Sequence, residues 1–279
     1  MTTHLLLDVA TRWLLWTNFL MAGNASGWVI VTARALAFPV DGGLIALALV
    51  LALAFYTRDR LDKGEHRSDL VTMPQRTAWV QRHTVALKSV VWCSFLSAVV
   101  LLVLRPAALP PLLAGLGFAL SYTVRWLPWR GRRVGWKHLP GIKMPFVAIL
   151  WTLVTVITPA AAYSHVWQCD TWLLAAAVCA LIMVQILIND LRDMEGDLAS
   201  GTVSLPVLLG EPAARRAGYA LVVAGALLAL PISPLPFSLT ALYSALLIWR
   251  YRRESDARWR WWIETQGIVA ALAALVWPA

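Results

Sequence analysis

Long apolar runs repeat along nearly the whole chain, and short charged or Pro/Gly-rich breaks separate them. Most runs approach the ~20 residues that a helix needs to cross a bilayer, whereas a soluble α/β enzyme would interrupt them with turns and amphipathic stripes. The pattern therefore predicts an all-α polytopic membrane protein with about nine transmembrane helices. The predicted spans are residues 13–33, 42–57, 85–104, 107–124, 144–163, 171–189, 217–234, 236–250 and 263–277.

The composition agrees with this pattern, because 59% of the residues are hydrophobic, only 14% are charged and the mean hydropathy is +0.66. No shift in composition marks a linker or a soluble domain, so we expect a single integral-membrane domain over residues 1–279. The first segment has no basic region ahead of Leu5, and Arg34 follows it, which predicts a retained span rather than a cleaved signal peptide. The three cysteines have neither zinc nor disulfide spacing and are expected to serve in packing.

Basic residues fall almost entirely on one side of the predicted topology. Of the 24 Lys and Arg residues, 22 precede the first span or follow the even-numbered spans, and only Arg34 and Arg105 lie on the other side. By the positive-inside rule, the N-terminus and the even loops are expected in the cytosol and the C-terminus across an inner or cytoplasmic membrane. The net charge of +9 is thus accounted for by topology, with membrane lipid rather than nucleic acid as the expected partner.

An acidic segment directly follows the sixth apolar run, at residues 188–197. At about 100° per helical residue, Asp190, Asp193 and Asp197 fall on one face of a helix, and Glu195 falls roughly opposite. Three carboxylates on one face repel one another unless a cation lies among them, and oxygen-only ligand sets suit a hard ion such as Mg²⁺. This face is the candidate centre of the chemistry, with Asp190 and Asp193 as candidate catalytic residues.

A second acidic cluster lies at the end of the second span, where Asp59 and Asp62 repeat the spacing of the first two aspartates. Glu65 or Asp69 could substitute for them. Both clusters are predicted at the cytosolic face, where they could face each other across a bundle. The alternative is a solvated, salt-bridged loop at the membrane edge, since the cluster is interspersed with bases. Those bases are Arg58, Arg60, Lys63 and Arg67.

A basic stretch lies between the fourth and fifth spans. It can serve as a positive-inside signal in contact with lipid head groups, or it can supply cations to diphosphate oxygens that a metal does not cover. The candidate substrate-binding residues in this stretch are Tyr122, Arg125, Lys137 and Lys143.

Three asparagines lie in or beside apolar spans. Asn18 and Asn24 in the first span could form interhelical hydrogen bonds or line a substrate cavity, and the position of Asn189 beside the acidic face favours the cavity. All three are candidate substrate-binding residues. In the same first span, Gly23 and Gly27 form a G-x-x-x-G pattern that permits close helix packing.

These motifs resemble those of the UbiA-type membrane prenyltransferase family, in order and over nearly the whole chain. Residues 189–210 resemble its second aspartate motif and the TLPV-like segment that follows it. Residues 56–62 resemble a degenerate first motif, with Arg58 in place of an Asn, and His66 stands where a third Asp is expected. Residues 121–125 and 137–143 resemble the basic stretch after the fourth span.

The resemblance implies a helical bundle around a central cavity, in which Mg²⁺ and an isoprenyl diphosphate donor lie between the two aspartate motifs and a hydrophobic or aromatic acceptor is alkylated. Two alternatives stay open: a membrane terpene cyclase or diphosphate lyase, and a noncatalytic isoprenoid- or lipid-binding protein. Carried over to this chain, Arg125, Lys137 and Lys143 would contact the diphosphate. The implied metal ligands are Asp59, Asp62, Asp190, Asp193 and Asp197.

Overall fold

The computed structural model describes residues 14–62, 70–124, 126–129, 131–136, 139–253 and 256–277, and these are almost entirely helical. The N-terminal half contains α1 (Phe19–Ala35), α2 (Gly42–Arg60), α3 (Pro74–Arg82), α4 (Thr84–Val103), α5 (Leu109–Thr123), the short antiparallel strands β1 (Leu127–Trp129) and β2 (Arg132–Val134), α6 (Lys143–Thr152) and α7 (Thr158–Ala162). The C-terminal half contains α8 (Cys169–Ser200), α9 (Leu205–Leu209), α10 (Glu211–Ala229), α11 (Pro234–Arg250), α12 (Asp256–Ile263) and α13 (Gln266–Val276).

A helix lies at each predicted span in the described part of the chain. Four helical segments are long and apolar enough to cross a membrane by length and composition, namely α2, α4, α8 and the continuous segment from α6 through a π-helical turn to α7. Two shorter apolar helices, at Pro106–Tyr122 and Gln266–Val276, accompany them. The protein is therefore an integral membrane protein. The number of nine crossings stays a prediction.

Two of the short helices that were not expected from the apolar pattern are α3 and α12. Both lie in segments that are rich in charge and carry no long apolar run, so no span was predicted there. Pro74 occupies the first turn of α3, where its missing N–H removes no helical hydrogen bond. In α3 the side chains of Arg76, Thr77 and Val80 are buried, so this helix packs against the bundle through one face.

Helix α8 is the centre of the bundle, because it packs against α1, α6, α9, α10, α11 and α12. Its apolar residues contribute to both hydrophobic clusters of the protein, with Leu174 and Leu181 in one and Leu187 and Leu191 in the other, all fully buried. No charged residue occurs between Asp170 and Asp190, so α8 can be buried over most of its length. Its acids are confined to its two ends.

The two basic residues predicted on the far side of the membrane both have specific partners. Arg34 donates to the carbonyls of Ala274 and Trp277 at the end of α13, at 3.3 and 2.9 Å. Arg105 makes two hydrogen bonds with Asp41, at 2.7 and 2.9 Å, and Asp41 also caps α2 by accepting from the Gly43 N–H. The Arg105 guanidinium holds the pKa of Asp41 below its ordinary value. These partners tie together the connections on that side of the bundle.

Helices α1 and α13 cross at very short range where Gly27 faces Gly267. A Cβ on Gly27 would overlap the carbonyl of Gly267, and a Cβ on Gly267 would overlap the carbonyl of Asn24. The G-x-x-x-G pattern predicted close packing, and the structure identifies α13 as the partner helix. Of the two glycines in the pattern, only Gly27 is essential for the close crossing, because a Cβ on Gly23 would make an ordinary 3.6 Å contact with Ile268.

We predict that Gly27→Ala lowers the stability of the protein by about 2 kcal/mol, since the added methyl forces two packed backbones apart. The expected result is a clear drop in melting temperature in detergent, measured by intrinsic tryptophan fluorescence. Gly23→Ala is the matched control, one helical turn away, and should melt within about 1 °C of the wild type, given that small surface-like changes cost little. Equal melting temperatures for the two variants would contradict this description of the crossing.

Candidate active site

The acidic segment forms the last turns of α8, and its carboxylates differ sharply in exposure. Asp190 and Asp197 are buried, at 1% and 4% exposure, and Asp193 is partly buried. Glu195 points away from them, with 76% of its side chain exposed. Burying two carboxylates costs several kcal/mol each unless cations or hydrogen bonds compensate. The groups that face Asp190 and Asp197 therefore determine what this part of the protein can bind.

The chain after α8 is folded back so that it fixes the beginning of α6. Gly201 ends α8 in a left-handed conformation, with a φ of 75°, and the Thr202 N–H donates to the Asp197 carbonyl. The carbonyl of Val203 then accepts from the N–H of Gly141 at 2.8 Å. This backbone hydrogen bond joins the segment after α8 to the segment before α6, and it places Lys143 opposite the acidic face.

Lys143 lies between the two buried aspartates. Its Nζ is 2.8 Å from Oδ1 of Asp190 and 3.7 Å from Oδ1 of Asp197. Lys143 is the first residue of α6, where the helix dipole disfavours a positive charge. The attraction of the two carboxylates therefore outweighs the unfavourable helix position. One ammonium neutralises only one of the two carboxylate charges, so the pair of acids retains an excess of negative charge.

Asp193 has a different partner. Arg192 binds it with two parallel hydrogen bonds of 2.8 and 2.7 Å, a geometry that suits guanidinium and carboxylate. The same guanidinium donates to Oδ1 of Asn189 at 3.1 Å. Within one helical turn, α8 thus presents an arginine that is oriented by a carboxylate and an amide, next to the two acids that contact Lys143.

The donor set fits a magnesium ion that is shared with a substrate. Oδ2 of Asp190 and Oδ2 of Asp197 are both buried and have no close hydrogen-bond donor in the described part of the chain, apart from the buried Ser204 hydroxyl, which interacts with the Asp197 carboxylate. Among the same residues, no three His, Cys, Asp or Glu side chains lie close enough together to hold a metal by themselves. Mg²⁺ commonly binds through one or two carboxylates plus phosphate oxygens, so two carboxylates with free lone pairs suffice.

The acidic cluster of Asp59 and Asp62 lies at the end of α2. Asp59 is in the last turn and Asp62 just beyond it, and both are exposed. One turn before Asp59, the ring of Tyr56 stacks on Trp151, which lies near the opposite end of α6 from Lys143, at a centroid distance of 5.3 Å. The metal role of Asp59 and Asp62 stays a prediction. The proposed substitutes Glu65 and Asp69 lie outside the described residues.

The two asparagines of the first span both make contacts between helices. Asn18 precedes α1 in a left-handed conformation, accepts from Arg60 Nε at 2.6 Å and donates to Thr57 at 3.4 Å. Asn24 donates to Gln185 at 3.0 Å and accepts from the Gly267 N–H at 2.5 Å. Interhelical hydrogen bonding thus describes the contacts of both side chains, and their role in substrate binding stays a prediction.

Of the four candidate residues in the predicted basic stretch, Tyr122 and Lys143 lie in the described part of the chain. The ring of Tyr122 packs against Phe146 at 4.6 Å, one turn along α6 from Lys143. Arg125 and Lys137 lie outside the described residues. The structure therefore brings Tyr122 and Lys143 to the same end of α6.

One charged residue near the site was missed at the sequence level. Glu264 lies in the turn between α12 and α13 and is 3% exposed. The carbonyl of its neighbour Ile263 accepts from Gln185 of α8 at 3.0 Å, so this turn is held against the helix that carries the acidic segment. The sequence contained a signal, because Glu264 is a single acid at the start of an apolar run, and an ionisable residue at membrane depth is a functional candidate by default.

These features define a helical membrane protein with a buried carboxylate and lysine site at one end of its central helix. The chain belongs to the UbiA prenyltransferase family, whose model matches residues 74–271.

Two curated relatives are digeranylgeranylglyceryl phosphate synthases. The chain is 32% identical over 165 residues to the protein of Thermococcus kodakarensis, a match that covers 50% of this chain and 54% of that protein. It is 31% identical over 153 residues to the protein of Natronomonas pharaonis, covering 50% and 53% respectively. The match thus spans about half the length of each relative. No solved structure matches the chain significantly.

Proposed function

We propose that this protein is a Mg²⁺-dependent membrane prenyltransferase, which moves an isoprenyl group from an isoprenyl diphosphate to a hydrophobic acceptor. One observation carries the proposal: Asp190 and Asp197 are buried two helical turns apart on one face of the central apolar helix, each with a carboxylate oxygen that accepts no backbone or cationic hydrogen bond among the described residues, in a chain of the UbiA prenyltransferase family. Such a pair needs cationic ligands, and a diphosphate complexed with Mg²⁺ supplies them next to an apolar interior.

Asp190 and Asp197 would hold Mg²⁺, which when bound neutralises negative charge on the diphosphate oxygens. Lys143 and Arg192 would face the remaining oxygens as preorganised cations, which stabilise the charge that develops on a leaving group. In the reaction the bond between the allylic carbon and oxygen breaks, and its electron pair leaves with the diphosphate. The allylic cation is then attacked by an acceptor nucleophile, which loses a proton. The apolar helices around the site would exclude water from this cation.

For the acceptor, we propose a lipid-like molecule that bears a glyceryl phosphate group. The names of the two relatives describe synthesis of a glyceryl phosphate with two geranylgeranyl groups, and this supports a glyceryl phosphate acceptor and a geranylgeranyl donor as the first pair to test. An aromatic compound is the second acceptor class, as expected from the family resemblance of the sequence.

We also propose that the acidic end of α8 lies at the cytosolic side of an inner or cytoplasmic membrane, with the C-terminus on the opposite side. The distribution of Lys and Arg supports this orientation, because the loops predicted at the acidic side hold nearly all of them. A water-soluble diphosphate donor head group would then enter from the cytosol.

The test is an assay of purified protein with radiolabelled geranylgeranyl diphosphate and Mg²⁺, first without acceptor, then with a geranylgeranylglyceryl phosphate or an aromatic compound. Release of diphosphate and formation of a labelled lipid only in the presence of acceptor is the expected result. Release without acceptor would instead indicate a cyclase or lyase. Neither binding nor release with any combination would refute the proposal and indicate a noncatalytic lipid-binding protein.

A further inference from the structure

A groove lies on the surface of the bundle where the last turns of α11 pack against α12. Its volume is about 500 Å³, within the range of sites that hold small molecules. The wall is already in place, because the Tyr243 hydroxyl donates to the Trp262 carbonyl at 2.6 Å and Trp259 packs against the hydrophobic cluster that includes Leu191. Four of the side chains that line the groove are aromatic, namely Tyr243, Trp249, Trp259 and Trp262.

The groove lies at the same end of the bundle as the acidic segment of α8. Arg253, which follows α11, donates to Met194 Sδ at 3.2 Å and lies 4.0 Å from Glu195. In the proposed orientation this end of the bundle faces the cytosol. Trp249 and Trp262 are 58% and 54% exposed, and exposed tryptophans favour the level of the lipid head groups. The groove therefore lies where hydrocarbon gives way to head groups.

Two arginines at the end of α11 have different roles. Arg252 donates to the carbonyls of Trp249 and Tyr251, at 3.0 and 2.9 Å, and so satisfies the end of the helix. Arg250 instead lines the groove, and its guanidinium lies 5.1 Å from the centre of the Trp249 ring, within cation–π range. Such a contact does not require the N–H donors of the guanidinium, and these donors match phosphate oxygens in geometry and charge.

The segment that forms the groove is positively charged even when its acids are counted. Residues 249–262 contain five arginines and two acids, which gives a net charge of +3. Basic residues next to a membrane attract anionic phospholipids of the cytosolic leaflet, whereas a zwitterionic head group gains little from them. The groove thus combines an apolar aromatic wall for a lipid chain with a cation that suits a phosphate.

We infer that this groove binds an anionic phospholipid from the cytosolic leaflet, with one chain along the aromatic wall and the phosphate at Arg250. The bound lipid spans α11 and α12 and stabilises their packing. The inference rests on the proposed orientation in the membrane. It does not rest on the proposed reaction, because none of the side chains that line the groove belongs to the diphosphate site.

The test is native mass spectrometry of the whole chain in detergent, with phosphatidylglycerol, phosphatidylcholine or free glycerol phosphate added. We expect the wild type to bind phosphatidylglycerol at least about fivefold more tightly than phosphatidylcholine, and glycerol phosphate not to compete, since the site needs both chain and phosphate. Arg250→Gln should bind phosphatidylglycerol about fivefold more weakly, which is the share of one basic residue near a membrane surface. Trp262→Ala, which removes part of the wall, should weaken the binding of both lipids.

Arg216→Gln is the matched control, because Arg216 is exposed near the start of α10 and does not line the groove. Its affinity for phosphatidylglycerol should equal that of the wild type. Equal binding of the two lipids by the wild type, wild-type affinity in Arg250→Gln or in Trp262→Ala, or an equal loss in Arg216→Gln would overturn the inference. Competition by glycerol phosphate would also overturn it and indicate a site for soluble phosphate. None of these measurements involves turnover, so each result leaves the proposed function intact.

Discussion

Asp190→Asn is expected to lower turnover at least about 100-fold while the protein stays folded, because preorganised charge at a developing leaving group typically contributes at least this much. The substitution keeps the size of the side chain and its partial contact with Lys143. It removes the negative charge of a carboxylate that would hold Mg²⁺ beside the diphosphate. Asp193→Asn is expected to have a comparable effect, since it removes the carboxylate that orients Arg192. Initial rates with labelled donor measure both effects.

Glu195→Gln is the matched control for these variants. It removes the same charge from the same turns of α8, but on the exposed side, where the nearest cation is Arg253 at 4.0 Å. Its turnover should remain within about twofold of the wild type, given that exposed ion pairs contribute little. Full activity in both aspartate variants would show that the chemistry takes place elsewhere.

Lys143→Met should have the second-largest effect. Without magnesium it should lower stability by roughly 3 kcal/mol, because the two buried aspartates lose their only ammonium partner among the described residues. Turnover should fall on the order of 100-fold, since a cation is lost from the leaving group. Added Mg²⁺ should then raise the melting temperature of the variant more than that of the wild type, as Lys143 no longer competes for the carboxylates.

Lys88→Met provides the comparison for Lys143→Met. Lys88 is exposed on α4. Its substitution removes one positive charge, as Lys143→Met does, but from an exposed position. Its melting temperature, its response to Mg²⁺ and its turnover should match the wild type. If Mg²⁺ raises the melting temperatures of the wild type, Lys143→Met and Lys88→Met equally, then Lys143 and Mg²⁺ do not compete for Asp190 and Asp197.

The sequence predicted the elements of the fold well, because long apolar runs are a strong and local signal. A helix lies at every predicted span in the described residues, and the acids that were assigned to one helical face are indeed carried by a single helix, α8. The short helices α3 and α12 were missed since their stability comes from packing against the bundle, as the buried side of α3 illustrates. Such tertiary contacts leave no periodic apolar pattern long enough to recognise.

The candidate site was only partly predictable. Lys143 was predicted to bind diphosphate because it lies in a basic stretch. Its contact with Asp190 depends on a backbone hydrogen bond between Gly141 and Val203, which no local sequence pattern reveals. The same limitation applies to Glu264, which is buried because the turn that carries it is held against α8 by Gln185. For Asn24, the sequence suggested either interhelical hydrogen bonds or a place in a substrate cavity. Only the fold shows that its side chain hydrogen-bonds Gln185 and the Gly267 N–H.

The most direct test of the central claim is electron paramagnetic resonance of Mn²⁺, an oxygen-seeking substitute for Mg²⁺, titrated into the protein with geranylgeranyl thiodiphosphate. We predict that the wild type and Glu195→Gln bind Mn²⁺ together with the thiodiphosphate, and that Asp190→Asn loses this binding. Equal Mn²⁺ binding by the wild type and Asp190→Asn would contradict the assignment of the acidic face of α8 as the metal and diphosphate site.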